Sequence, residues 1–188
     1  MTAIASLTVQ MYNGEEAPEI ADELIAVYAD VYNVEPYIGD PFFSVPTFIN
    51  RLHAAFEMPG FGVLTGRLDD GKLVGYVHGV NLDPERAWWA SLGDARPADA
   101  VQAAKDGDMF WLRELMTLPA YQNQGIGRRL HDVMVQARPE PWTTLTCIVD
   151  NEPARSAYPR WGYEVIGQIK HAEESPLYDA MILRPPVA

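Results

Sequence analysis

The chain has 188 residues and a formal charge of −12, with 48% hydrophobic and 21% charged side chains. That is the balance of one ordinary globular domain with a core of its own, and a surface this acidic repels nucleic acid and anionic membranes, so neither is expected as a partner. No apolar run is long enough to span a bilayer, Met1-Thr2-Ala3-Ile4-Ala5 lacks the basic start of a secretory leader, and the lone Cys147 excludes an internal disulfide and fits a reducing cytoplasm.

Leu7–Met11 alternates weakly and reads as a first strand, closed by the turn signal Asn13-Gly14. Ile20, Leu24, Val27, Tyr28 and Val31 recur at helical spacing, which predicts a helix over Pro18–Tyr32 with Pro18 in its first turn. Asn33–Val45 holds Pro36, Gly39 and Pro41 and reads as a loop. Pro46 opens a second helix with Phe48, Leu52, Ala55 and Phe56 on one face, and Pro59-Gly60 ends it. Phe61–Leu68 and Lys72–Leu82 are strand-like runs joined by Asp69-Asp70-Gly71, the pattern of a hairpin.

Asp83–Asp108 reads as a long insert with Trp88, Trp89, Pro97 and many alanines, and a connection of that length is usually functional or disordered. Its two tryptophans can shape an acceptor site, cover the core or form a homodimer contact. Met109–Leu118 is the next strand, and Ile126, Leu130, Val133, Met134 and Ala137 then share one helical face until Pro139 and Pro141. Trp142–Val149 is a strand by composition. Asn151 caps a helix whose face holds Ala154, Ala157, Tyr158 and Trp161 and which Gly162 stops. Tyr163–Ile169 and Tyr178–Leu183 are closing strands. The order predicts a mixed α/β domain built on one central, mostly antiparallel sheet flanked by helices.

The stretch Gln122-Asn123-Gln124-Gly125-Ile126-Gly127 stands where a strand ends and a helix begins. Such a junction presents backbone N–H groups at the positive end of a helix dipole, which suits a phosphate. Gly125 and Gly127 can take turn dihedrals closed to other residues and allow close approach of a ligand. A nucleotide-binding Walker loop needs Gly-Lys-Ser/Thr, but Arg128 and Arg129 follow Gly127. A dinucleotide fingerprint needs a further Gly or Ala where Leu130 stands.

The pattern Gln/Arg-x-x-Gly-x-Gly/Ala resembles the acyl-CoA pyrophosphate loop of the GCN5-related N-acetyltransferase (GNAT) family. A second stretch, Asn151-x-x-Ala154-x-x-x-Tyr158-x-x-x-Gly162-Tyr163, is similar to that family's other hallmark, and both lie on the matching elements in the matching order. The resemblance covers Met109–Ile169; before that it rests on element order. It implies that the strands Met109–Leu118 and Trp142–Val149 splay apart to admit the pantetheine arm of acetyl-CoA, which bonds to backbone at Met116, Thr117 and Leu118. The pyrophosphate then sits on Gln122, Asn123, Gln124, Gly125, Ile126 and Gly127, with Arg128 and Arg129 supplying positive charge, or remaining solvated helix residues, and Asn151 nearby. It further implies that Tyr158 is the general acid for the departing thiolate, although its spacing is also that of a core tyrosine and Pro159 behind it threatens to kink or shorten the helix.

Glu114 is the candidate base, and it could equally face solvent or pair with Arg113. Thr146 stands where ribosomal-protein acetyltransferases carry Glu, which argues against that subgroup. His78 reads as a satisfied sheet residue and Cys147 as buried packing, while His53, His131 and His171 have no metal-ligand spacing, so no metal is expected. The resulting expectation is a cytoplasmic acetyltransferase domain spanning residues 1–188 that moves an acetyl group from acetyl-CoA to a primary amine of a small molecule or peptide by direct attack. The alternative is a non-catalytic acyl-CoA-binding or regulatory module of the same fold.

Overall fold

The computed structural model describes residues 6–187; the leader reading of Met1–Ala5 lies outside the described residues. Seven strands hydrogen-bond in the order β1-β2-β3-β4-β5-β7-β6. They are β1 (Thr8–Asn13), β2 (Gly62–Arg67), β3 (Leu73–Asn81), β4 (Met109–Thr117), β5 (Trp142–Ile148), β6 (Glu164–Ile169) and β7 (Tyr178–Leu183). The helices are α1 (Ala21–Tyr32), α2 (Val45–Phe56), α3 (Ala87–Ser91), α4 (Ala98–Lys105), α5 (Ile126–Ala137) and α6 (Glu152–Arg160). Among the described residues no helix is long and apolar enough to cross a membrane. The chain divides into two compact units, residues 6–80 with 113–137 and residues 81–112 with 138–187.

In the first unit β1 pairs antiparallel with β2, and β2 with β3. Alternation along β3 sends Tyr76 and Gly75 to opposite faces. On one face the Tyr76 hydroxyl donates to the Leu24 carbonyl of α1 at 3.0 Å. On the other, α5 lies over the glycines: a Cβ at Gly66 or at Gly75 would stand 3.2 Å from a Leu130 methyl, and at Gly75 only 2.7 Å from the Met116 carbonyl. The two missing side chains form the bed in which Leu130 is fully buried.

α1 begins after a 3-10 turn at Ala17–Ile20 that contains Pro18. α2 begins at Ser44, whose hydroxyl accepts the Thr47 N–H at 3.3 Å, with Pro46 in the first turn where no N–H is missed. The two helices meet through Tyr28 and Phe48, whose rings stack at 3.8 Å. The loop between them forms a 3-10 turn at Pro41–Phe43, anchored by the Tyr28 hydroxyl donating to the Phe43 carbonyl at 3.0 Å.

In the second unit β4 and β5 form a short parallel ladder from Met109↔Trp142 to Trp111↔Thr144. β5 pairs antiparallel with β7 from Thr143 to Ile148, and β6 lies outside β7. The predicted insert is neither disordered nor structureless, because its alanines build α3 and α4 and bury Ala100, Ala103 and Ala104. Trp89 is fully buried and Trp88 nearly so, which settles their role as core of this unit. Their rings meet edge to face at 5.8 Å. Behind them Leu92 packs on β6, and a Cβ at Gly167 would lie 2.8 Å from its methyl.

Candidate functional site

The glycine loop in the first unit has two left-handed residues, Asn123 at φ 59° and Gly125 at φ 81°. Asparagine tolerates that region better than most residues and glycine enters it freely. Gly127, expected to need such freedom, has an ordinary helical backbone in the first turn of α5; its absent Cβ would lie 3.7 Å from the Thr117 hydroxyl. So only Gly125 of the pair is there for conformation, and Asn123 is the second left-handed position, which the glycine pattern did not reveal. Alternating backbone of this kind turns successive N–H groups toward one concavity, the geometry of an anion nest. Gln122 Nε2 donates to the Thr117 carbonyl at 3.1 Å and Gln124 Nε2 to the Ala120 carbonyl at 3.3 Å, which ties the loop to the end of β4. Gln122–Gly125 is exposed, while Ile126, Leu130, His131 and Met134 bury the inner face of α5. Ala137, expected on that face, is exposed at the end of the helix.

The two arginines differ. Arg128 Nε donates to Asp132 Oδ2 at 2.6 Å, and the same carboxylate meets His131 Nδ1 at 2.8 Å. Burial acts to raise the Asp132 carboxyl, but the bonds from Arg128 and His131 outweigh it and hold the group below its usual range. His131, buried beside it, is lowered by that burial and titrates below an ordinary histidine despite the carboxylate. Arg129 is exposed and has no side-chain ion pair among the described residues. At the end of β4 the Leu118 N–H donates to the Val74 carbonyl at 2.8 Å and its carbonyl accepts from Tyr121 N–H at 2.8 Å. Both backbone groups of Leu118, expected to hold pantetheine, are therefore engaged within the fold. Successive N–H groups of a strand point to opposite edges, so Thr117 turns its own N–H away from β3.

Glu114 sits mid-strand on β4 with most of its side chain buried, and it pairs with Arg51 of α2, with Nη2 3.8 Å from Oε1. Arg113, the pairing considered from sequence, donates to the Met58 sulfur at 2.9 Å and its charge still acts on Glu114. Burial raises the Glu114 carboxyl above its usual range, and Arg51 and Arg113 draw it back only in part. Tyr28, raised to about 12 by burial and then by the Glu114 charge, stays a phenol, as does Tyr76. His78 corrects the expectation of a satisfied sheet histidine: it is buried between Phe61 and Tyr76, yet among the described residues neither ring nitrogen has a hydrogen-bond partner. Burial holds its imidazole neutral, with its pKa well below the ordinary histidine value. An open groove of about 750 Å³ elsewhere in this unit is lined by Glu15, Glu57, Phe56, Met58 and Phe61 among others, and by none of the expected site residues.

In the second unit the Asn151 side chain caps α6, accepting the Ala154 N–H at 3.5 Å. The helix runs through Pro159 to Arg160 without breaking early. It ends on paired bonds from Gly162 N–H to the Pro159 carbonyl and from Tyr163 N–H to the Tyr158 carbonyl, both 3.1 Å, with Gly162 left-handed at φ 99°. Pro159 falls in the last turn, so the one helical bond it cannot donate, to the Arg155 carbonyl, lies at the end of the helix. Tyr158 is mostly buried, its ring edge to face with Trp161 at 5.3 Å and Tyr163 at 5.4 Å. Arg155 Nε donates to Asp179 Oδ2 at 2.7 Å and fastens α6 to β7. Thr146 Oγ1 meets His171 Nε2 at 3.0 Å. Cys147 is buried, and its thiol is pushed up to about 12 by burial and by the Asp179 charge, so it is packing and not a nucleophile. Among the described residues no group of His, Cys, Asp and Glu could hold a metal ion.

The profile of the acetyltransferase (GNAT) family matches residues 28–163. No curated protein matches. Among solved structures the chain is similar to PH1933 from Pyrococcus horikoshii OT3, with a TM-score of 0.66 and 19% identity over 97% of this chain and 100% of that one. It is similar to the ribosomal-protein-S18-alanine N-acetyltransferase from Escherichia coli, with a TM-score of 0.63 and 15% identity over 97% of this chain and 96% of that one. The PaiA N-acetyltransferase from Thermoplasma acidophilum, solved in complex with coenzyme A, has a TM-score of 0.59 and 14% identity over 95% of this chain and 99% of that one. At these identities the structural likeness establishes the fold, and the family match adds acyl transfer from acyl-CoA. With its open seven-stranded sheet, its glycine loop ahead of α5 and a family match over most of its length, this chain belongs to the GNAT acetyltransferase family.

Proposed function

We propose that the two units together make one acetyltransferase domain, which moves an acetyl group from acetyl-CoA to a primary amine of a small molecule or peptide by direct attack. The observation that carries this reading is the pair of left-handed residues, Asn123 and Gly125, in an exposed loop opening onto α5. Within a chain of this family that loop is the natural seat of the CoA pyrophosphate, on the N–H groups of Gln122–Gly127. Of the two cations, Arg129 is better disposed to reach phosphate oxygen, since Arg128 is committed to Asp132. The backbone of Thr117 takes the pantetheine arm through the N–H directed away from β3, while Met116, alternating with it, faces β3 as Leu118 does. Asn151 contributes by capping the helix that bears Tyr158.

An alkyl ammonium must lose its proton before its nitrogen can attack the thioester carbonyl. Glu114 takes that proton, and a carboxylate raised by burial is a better base at neutral pH than an exposed one. The amine's attack forms the N–C bond and a tetrahedral oxyanion, which collapses as the C–S bond breaks; the thiolate takes the proton of the Tyr158 hydroxyl, and the nitrogen's second proton passes through solvent to restore that hydroxyl. CoA release over a panel of amines tests the whole reading. Glu114→Gln, nearly isosteric, is expected to lower kcat/KM by about 10²-fold or more, the scale of a positioned base, while acetyl-CoA still raises the melting temperature. Undiminished turnover would remove Glu114 from the mechanism.

The burial of Tyr158 between Trp161 and Tyr163 favours a second reading, an acyl-CoA-binding module without turnover. Acetyl-CoA stabilisation with no CoA release from any amine would support it.

A further inference from the structure

Arg51 was not singled out by its sequence, yet three separate contacts meet on it. Its guanidinium lies 3.8 Å from the Glu114 carboxylate. Its Nη1 donates to the Phe42 carbonyl at 3.1 Å. The guanidinium carbon stands 5.4 Å from the centroid of the Phe42 ring and 5.9 Å from that of Phe48. The next carbonyl along, Phe43, takes the Tyr28 hydroxyl. Two adjacent carbonyls of the Pro41–Phe43 turn are thus held by donors from two different helices. One of those donors also forms an ion pair with the proposed base.

We propose that Arg51 is a positioning residue for Glu114, setting the orientation and charge state of the carboxylate from the Pro41–Phe43 turn that anchors it. The inference rests on Glu114 being the base, although the contact itself does not. The titratable and charged groups that feel this carboxylate are Tyr28 from α1, Arg51 from α2, Tyr76 from β3 and Arg113 from β4, and His78 of β3 feels the same two arginines. Tyr28, Tyr76 and His78 are uncharged at neutral pH, so the charge balance there lies with two arginines. Arg113 is drawn toward Met58, whereas Arg51 is fixed by a carbonyl and two ring faces. A planar guanidinium held this way gives the carboxylate a fixed counter-charge, which a flexible lysine would supply less well.

The test reads Glu114 directly and needs no acceptor. Protein labelled with ¹³C at glutamate carboxyls is titrated by NMR, and Glu114 is assigned by its loss in Glu114→Gln. Arg51→Gln is expected to move the Glu114 midpoint upward, because a favourable charge is removed from the ionised form. Phe42→Ala, which keeps the carbonyl but removes the ring, should move it in the same direction by less. Arg51→Lys should fall between Arg51→Gln and the parent. In the parent, the Arg51 guanidinium ¹⁵N resonance should follow pH with the same midpoint as Glu114, a measurement that needs no variant to fold. A Glu114 midpoint unchanged in Arg51→Gln, or an Arg51 resonance blind to that titration, would overturn the proposal. If Glu114→Gln turns over normally while the midpoints move as expected, the base assignment fails and the Arg51 contact stands. If both hold, the acid limb of kcat/KM in Arg51→Gln shifts to higher pH, which a loss of stability alone does not produce.

Discussion

Asp132 holds Arg128 at 2.6 Å, one turn along the helix that opens from the glycine loop. The ion pair is half exposed, so it adds little to stability, but it directs the guanidinium along the helix and away from the loop. Arg129→Gln is therefore expected to weaken acetyl-CoA binding by about three- to tenfold, the worth of one charge-assisted phosphate contact, and Arg128→Gln by less. Asp132→Asn should release Arg128 and strengthen binding. Calorimetric titration with CoA checks the order of the three; equal losses for both arginines would mean that the Asp132 pair opens when CoA binds.

The two glycines of the loop should answer to substitution in opposite ways. Gly125 is left-handed with open space where a Cβ would stand, so Gly125→Val is strained by its backbone and not by a clash. That costs about 1–2 kcal/mol and should abolish most of the melting-temperature rise that acetyl-CoA gives the parent. Gly127 lies within α5 with only ordinary contact for a new methyl. Gly127→Ala should stabilise the free protein by up to about 1 kcal/mol through helix propensity while weakening CoA binding. Thermal shift with and without acetyl-CoA separates the two effects.

Tyr158→Phe keeps the ring and its contacts with Trp161 and Tyr163. Stability and acetyl-CoA affinity should barely change, while kcat falls by about 10²-fold, the lower end for a positioned acid, because a thiolate is already a fair leaving group. α6 is unbroken at Pro159, yet Tyr158 lies mostly buried against Trp161 and Tyr163, so this variant decides between the catalytic and the core reading of the tyrosine. Normal turnover of the Phe variant with a good acceptor would assign proton delivery to water or another group.

His78 makes a prediction about acid stability. Its folded pKa is well below the ordinary 6.5, so between those values the unfolded chain binds a proton that the folded chain does not. Stability therefore falls as pH drops below about 6.5, and is unaffected by this group above it. His78→Phe removes the titration along with two unpartnered nitrogens. It should leave the protein as stable or up to about 1 kcal/mol more stable at neutral pH, with a smaller loss on moving from about pH 7.5 to pH 5. Urea midpoints at the two pH values decide it; an equal acid loss in both proteins would sink the idea.

The order of strands and helices was legible because most elements carry their own local signals. Pro46, Asn151 and Gly162 mark helix ends by side-chain and backbone chemistry that acts within a few residues. The role of Trp88 and Trp89 stayed open in the sequence because such residues serve binding sites as readily as core, and only the packing in the second unit decides between these. The loop motif was visible, but which residues take left-handed backbone was not: Asn123 does and Gly127 does not. Arg51 and Asp132 were missed for a different reason. Their importance lies in partners, Glu114 and Arg128, and in the case of Arg51 the partner is brought near only by tertiary packing. His78 could be placed on its strand from sequence, but not its lack of partners, since hydrogen-bond satisfaction depends on every neighbour at once.

The burial of Cys147 makes the protein suited to thiol labelling. It is the one cysteine of the chain, and a thiol pushed up to about 12 is almost wholly protonated at neutral pH and shielded from reagents. A maleimide dye should leave the parent unmodified and take to Gln124→Cys at a single exposed position in the loop. Such a probe would watch acetyl-CoA arrive and leave in real time, with no need to know the acceptor or to strip the native thiol first.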